Sequence, residues 1–306
     1  MASMSRRFDV ARKACYILAA LIMVVSFAVF VIFTDALFKF TYVTDLLGTN
    51  VFTFGVLILV AVGLFAALLT PGILYSIVIQ HSSMLAMLTF TCLTFACLSI
   101  MGAAFGFCLR SELSTGTLHA WMQEGLLNEY GHPAAYAVTH AWDRLQADLE
   151  CCGVQHPEEW TKSDWFLGQV RFPRRRRPLS CCATCRKAQE RVCNSSDADE
   201  EESSRDRATC TKLAVSCSDS PEDVADFGIC TGHDVADSTI KKDAFVFLKG
   251  CYPSLESRLY LYSILMITGG ILLGLLLFAL SVSSLILMYS SDPYLTNYNV
   301  VQVGDE

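Results

Sequence analysis

Ten of the 14 cysteines in this 306-residue chain fall between positions 151 and 251: Cys151, Cys152, Cys181, Cys182, Cys185, Cys193, Cys210, Cys217, Cys230 and Cys251. An even number of thiols at that density is the material of a disulfide framework in an oxidising compartment. Zinc ligation is the reading the same residues would take in the cytosol, and it is the weaker one. Cys151 and Cys152 are adjacent. Neighbouring cysteines bond each other only with backbone strain, so each reaches a separate distant partner, and the dipeptide gathers two remote segments onto one point. Cys182-Ala183-Thr184-Cys185 has CxxC spacing, the form of a redox pair. Set among eight other cysteines, it reads as structural.

Other residues carry modification or sorting chemistry. Asn194-Ser195-Ser196 is an N-glycosylation sequon inside the cysteine-rich block. Cys15, just after Arg12 and Lys13, is a juxtamembrane candidate for reversible acylation. Tyr298-Asn299-Val300-Val301 has the Tyr-x-x-hydrophobic form that endocytic adaptors read, with Tyr298 and Val301 as its anchors. Arg174 to Arg177 is a solvated basic loop, a processing site or a polyanion patch, and Pro178 directly after it hinders cleavage. The acidic run Asp197, Asp199 and Glu200 to Glu202 reads as a solvated loop tip. The six histidines show no paired metal spacing, and there is no nucleophile elbow or phosphate loop. The expectation is no catalysis, no cofactor and no metal.

The elements that position these residues follow from where charge is missing. No Asp, Glu, Lys or Arg occurs over residues 14–34, 46–109 or 259–291. A bilayer core of about 30 Å needs roughly 20 apolar residues per helix. The gaps therefore accommodate one, two and one spans, expected at 14–34, 51–76, 84–109 and 259–289. The turn between the second and third is marked either by Pro71-Gly72 or by Gln80-His81-Ser82-Ser83, since proline is tolerated in membrane helices. A soluble enzyme is excluded. With a net charge of −7, so is a nucleic-acid binder.

Arg6, Arg7, Arg12 and Lys13 precede the first span and hold the N-terminus in the cytoplasm. The chain then divides into a cytoplasmic N-terminus (1–13), a small outer loop (35–50), a short inner loop (77–83), a large outer loop (110–258) and a cytoplasmic tail (290–306). The first span reads as a retained signal anchor. None of the expected spans carries Asp, Glu, Lys, Arg or His, which argues against ion- or proton-coupled transport but leaves room for a lipid between the helices. Gly102 and Gly106, Gly270 and Gly274, and Gly55 and Gly63 mark small-residue faces. Packing within the bundle is the plain reading of them, and a dimerisation face the sharper one.

In the large loop, residues 110–130 continue the third span as helix. Val138, Ala141, Leu145, Leu149 and Cys152 then recur at helical spacing over residues 134–150. That helix runs into Trp142-Asp143-Arg144-Leu145-Gln146-Ala147-Asp148-Leu149-Glu150-Cys151-Cys152-Gly153. With Trp160-Thr161-Lys162-Ser163-Asp164-Trp165, Pro178-Leu179-Ser180-Cys181-Cys182 and Gly250-Cys251 before the last span, the chain resembles the tetraspanin family. The ordered set covers the whole four-span plan, whereas Cys-Cys-Gly alone is a weak signal.

The resemblance implies an all-α membrane protein with four transmembrane helices and a large disulfide-rich extracellular loop between helices 3 and 4. It implies bonds from Cys151 to Cys251, from Cys152 to Cys181, and from Cys182 to a later cysteine, taken as Cys193. It leaves Cys185, Cys210, Cys217 and Cys230 unassigned. The implied function is a non-enzymatic scaffold that organises other integral membrane proteins, or copies of itself, with the loop choosing partners at the plasma or endosomal membrane. Two alternatives are a structural oligomer shaping curved membranes, as in photoreceptor rims, and a four-helix protein binding lipid or sterol. Many members carry Asn in span one and Glu or Gln in spans three and four. Here Ser26 and Ser99 are the nearest polar substitutes.

Overall fold

A computed structural model describes residues 2–47, 49–79, 82–170, 174–184, 230 and 245–291. These form α1 (Ala2–Phe40), α2 (Val43–Leu47), α3 (Val51–Ile79), α4 (Ser82–Ser114), α5 (Thr117–Glu124), α6 (Tyr136–Leu149), α7 (Asp164–Leu167) and α8 (Cys251–Ser291). No strand occurs among the described residues; Cys182 and Val246 form an isolated antiparallel bridge. The chain divides into a unit of residues 1–41, 50–111 and 260–306 and a second of residues 42–49 and 112–259.

Within the first unit, α1, α3, α4 and α8 are each long and apolar enough to cross a bilayer, with mean hydropathy from 2.0 to 2.9. Of these, α1, α4 and α8 run past the charge-free segments. α8 begins at Cys251 rather than near 259, and its first turns carry Glu256 and Arg258. Loss of hydropathy marks where a helix meets water, not where its hydrogen-bond ladder ends. Pro71 lies inside α3, which continues to Ile79, and α4 starts at Ser82. The break therefore follows the second of the two candidate turns.

Small residues decide how closely these helices approach. A Cβ added to Gly270 would sit 2.7 Å from the Ser99 carbonyl and 3.0 Å from the Ala103 side chain of α4. At Gly106 it would meet Met266 at 2.9 Å, and at Gly102 Leu59 at 2.7 Å. Gly63 sits against the Ser26 carbonyl of α1, 2.9 Å from such a carbon, and Gly55 against Met266 and Phe105. All the glycine faces named from the sequence are thus spent on close helix contacts inside the bundle, Gly274 the least tightly, its added carbon 3.2 Å from the Ile100 side chain.

Buried hydroxyls are satisfied largely within their own helix. Ser26 donates to the Met23 carbonyl at 3.2 Å and Ser99 to that of Phe95 at 2.9 Å. Thr89 and Ser284 add an interhelical bond of 2.6 Å. Outward faces carry Val24, Phe27, Leu68, Met87, Phe90 and Leu275, all exposed. Lipid is the solvent that suits them.

The second unit is built differently. α4 ends at Ser114, and Gly116 takes the left-handed conformation (φ 72°) before α5. The stretch 110–130 is therefore two helical pieces with a glycine break. α5 and the π-helical turn Gly125–Glu129 bury Leu118, Met122 and Leu126. On α6 the buried residues are Ala141, Trp142, Leu145 and Gln146. Val138 and Leu149 of the expected apolar face are only half-buried. The pattern of apolar residues overlooked the buried amide of Gln146.

Candidate functional site

Helix α6 stops because Glu150 adopts a left-handed conformation (φ 51°), and the Cys151 amide donates back to the Gln146 carbonyl at 3.2 Å. Gly153 follows at φ 73°, where an added Cβ would strike the His156 carbonyl. Only glycine fits there without strain. This turn then serves the start of α8. The Cys251 and Tyr252 amides, otherwise orphaned in the first helical turn, donate to the Gly153 and Val154 carbonyls at 3.0 and 2.9 Å. The Glu159 carboxylate accepts from the Val154 and Gln155 amides at 2.7 and 3.1 Å. The Cys152 amide donates to the Lys249 carbonyl at 2.8 Å, just before α8, so the Cys-Cys-Gly turn joins α6 to the start of α8.

Disulfides link Cys151 to Cys251, Cys152 to Cys181 and Cys182 to Cys230, with Cα separations of 4.9, 5.0 and 5.8 Å. The third corrects the choice of Cys193. Cys182 pairs antiparallel with Val246, and fully buried Cys230 lies within bonding reach, its carbonyl accepting from Arg177 at 3.1 Å. The fold brings the chain back to Cys182 across 48 residues. The bond also removes Cys182 from a redox pair with Cys185. Cys185, Cys193, Cys210, Cys217, Asn194, Tyr298 and Val301 lie outside the described residues. Cys15 is fully buried.

An aromatic cluster fills the interior above this turn. Tyr130 and Trp160 meet edge to face at 4.6 Å, Tyr130 and Trp165 at 5.7 Å, and Trp142 and Trp160 at 5.8 Å. Such geometry sets the positive edge of one ring on the negative face of another. The motif serine joins the cluster to α6. Ser180 Oγ lies 2.7 Å from both Asp143 Oδ1 and Gln146 Oε1, and Tyr130 donates to Asp143 at 2.7 Å. One hydroxyl proton serves one acceptor at a time, and Gln146 Nε2 is buried without a partner. Exchanging the amide's oxygen and nitrogen lets Gln146 donate to Ser180 and Ser180 donate to Asp143. Burial, with the Asp143 carboxylate beside it, pushes the Tyr130 phenol well above its ordinary range.

Two open cavities flank half-buried Trp165. One, of about 480 Å³, is lined by Tyr130, Asp143, Arg175, Pro178, Leu179 and Ser180 besides the indole. The other, of about 350 Å³, is bounded by Asn128, Gly131, His132, Asp164 and Gln169. The helical unit has its own apolar cavity of about 230 Å³, lined by Ala66, Leu69, Ile73, Met84, Leu88 and Leu277 among others. No group of three or more potential metal ligands occurs among the described residues. The larger cavity is thus lined by rings, hydroxyls and one guanidinium.

The family model described as Tetraspanin family matches residues 12–290. Tetraspanin-15 of Caenorhabditis elegans is 34% identical over 91 residues, 28% of this chain and 35% of that protein. Tetraspanin-11 of Rattus norvegicus is 28% identical over 142 residues, 46% and 54% of the two chains. CD151 antigen of Chlorocebus aethiops is 32% identical over 88 residues, 28% and 34%. The chain thus spans from about a third to about half the length of these curated relatives. Its four apolar helices make it a multi-pass membrane protein, and with the match running from the first of them to the last, the chain belongs to the tetraspanin family of non-enzymatic membrane proteins.

Proposed function

We propose that this protein organises other integral membrane proteins laterally, choosing them through the cross-linked unit of residues 112–259. The observation that carries the reading is the division of labour along the chain. A polar unit stapled by at least three disulfides is carried on helices whose charge-free segments hold no Asp, Glu, Lys or Arg. Rigid surfaces bind without a large ordering cost, and apolar outer faces let a bundle associate with other helices in the plane of the bilayer. Family membership supports association with membrane proteins in general; which ones, and where, belongs to this proposal.

The orientation is part of it. The four basic residues before the first charge-free segment hold the N-terminus in the cytoplasm, so the cysteine-rich unit faces the oxidising side, Asn194 is glycosylated and the Tyr298–Val301 motif meets cytosolic adaptors at the plasma or endosomal membrane. The experiment is proximity labelling from the cysteine-rich unit, followed by recovery in mild detergent. Reproducible enrichment of particular membrane proteins supports the reading, and recovery of the chain alone contradicts it. The apolar cavity between α3, α4 and α8 favours a second reading, lipid or sterol binding, which photoreactive sterol cross-linked to Met84 or Leu88 would support. The rim-shaping alternative loses one source of oligomer contacts, because most of the glycine faces are used within one chain.

A further inference from the structure

The strap Arg174–Arg177 runs against the charge of its surroundings. Residues 110–258 hold 18 basic and 24 acidic residues, yet between Arg171 and Arg191 there are eight basic residues and one acidic. The strap is also held in place. Gln169 acts as a clamp: its Oε1 accepts from the Arg175 amide at 2.8 Å, and its Nε2 donates to the Arg175 carbonyl at 2.9 Å. Arg174 donates through Nε to the Gln169 carbonyl at 3.1 Å and lies 5.7 Å from the Phe166 ring centre. Arg177 is turned inward to the Cys230 carbonyl, with Pro178 buried behind it. Between these anchors the side chains of Arg175 and Arg176 are exposed.

Four adjacent like charges held in a fixed backbone repel one another. Burial opposes the charge on Arg177 most; nearby Glu158 favours it, and Arg176 opposes it. A polyanion relieves that repulsion, and a clamped strap meets it with little backbone entropy left to lose. The surroundings of Arg175 narrow the class of anion. It lines the larger cavity together with the half-buried Trp165 ring, Pro178 and the hydroxyls of Tyr130 and Ser180. The carboxylate in that cavity, Asp143, is already engaged by both hydroxyls. A guanidinium beside a half-buried indole and hydroxyl groups suits a sugar ring bearing a sulfate, since guanidinium grips tetrahedral oxyanions through paired donors.

We infer that the Arg174–Arg177 strap is a docking site for a sulfated polysaccharide, gripped by Arg175 and Arg176 and flanked by Trp165. It rests on the outward-facing orientation proposed above, because such polysaccharides lie outside cells. Binding itself is measurable on the purified full chain in detergent, independently of orientation, so a failure of one is separable from a failure of the other.

The test is retention on immobilised heparin at near-physiological salt, followed by a sodium chloride gradient. The full chain is expected to bind, and Arg175→Gln/Arg176→Gln to weaken Kd by about tenfold or more. A charge-matched control, Lys241→Gln/Lys242→Gln, is expected to elute with the parent. Arg175→Lys/Arg176→Lys, which keeps charge but loses the paired donors, is expected to elute between them. Intact Cys182–Cys230 linkage by peptide mapping shows that the variants have kept their fold. Failure of the parent to bind, or equal loss in both glutamine variants, overturns the inference. So does equal retention of the parent on phosphocellulose with the same loss in the arginine variant, since that marks a general anion site.

Discussion

The two units of this chain solve the problem of staying folded in opposite ways. The four long helices satisfy their backbones internally and gain contact by removing side chains: Gly63, Gly102, Gly106 and Gly270 let backbones approach to distances that a single methyl would block. The cysteine-rich unit has short helices among its described residues, with α5, α6 and α7 of 8, 14 and 4 residues. It holds together by covalent links, a ring cluster and a hydrogen-bonded serine, aspartate and glutamine. In lipid there is no hydrophobic force between helices, so close packing carries the association. In water a small, loop-rich unit has too little apolar surface to bury and needs staples. The difference lies in the solvent, and each unit's substitutions fail for its own reason.

The comparison breaks most visibly at the staples. Cys151→Ser is expected to cost about 2–5 kcal/mol by freeing a loop of 100 residues. Surface staining of an epitope-tagged chain will read it as retention inside the cell, and normal display would contradict it. In the helical unit the matching lesion is Gly270→Val, which forces α8 away from the Ser99 carbonyl. Overpacking of this kind costs about 1–3 kcal/mol. A lowered midpoint of thermal unfolding in detergent, with the three disulfides intact, is the expected signature.

Ser180→Ala sharpens the account of the polar network. It leaves Asp143 with Tyr130 and strands Gln146, so a cost of about 1–2 kcal/mol is expected. Ser180→Cys, which keeps a weak donor, should recover part of it in the same unfolding assay. The smallest effect is expected at Thr89→Val, which deletes the bond to Ser284. Interhelical hydrogen bonds in membranes average about 0.6 kcal/mol, so this variant should unfold nearly like the parent.

Much of this was legible in the residues, and the gaps have physical causes. Charge-free segments announced the helices because burial of ionised groups in lipid is so costly, but helix ends such as Cys251 were not, since a helix continues into water without changing its hydrogen bonds. The spacing of Ala141 and Leu145 marked the inner face of α6, while Gln146 escaped notice because its burial depends on Ser180, 34 residues away. The partner of Cys182 was misjudged for the same reason. Loop closure costs grow only slowly with length, so the nearer Cys193 held no decisive advantage over Cys230. Proline at position 71 was an ambiguous signal because a membrane helix absorbs it. The burial of Cys15 follows from which side of α1 faces the bundle, and its closeness to Arg12 and Lys13 carries no information about that.

The central claim is that the cysteine-rich unit is an oxidised domain on the outer side of the membrane, carried by helices that return both ends to the cytoplasm. Intact cells treated with a membrane-impermeant maleimide, with and without prior reduction, test it most directly when labelled peptides are identified by mass spectrometry. The account predicts label on Cys151 and Cys152 only after reduction, while a tag at the N-terminus is reached by antibody only after permeabilisation. Labelling of those cysteines without reduction, or only in permeabilised cells, would contradict it.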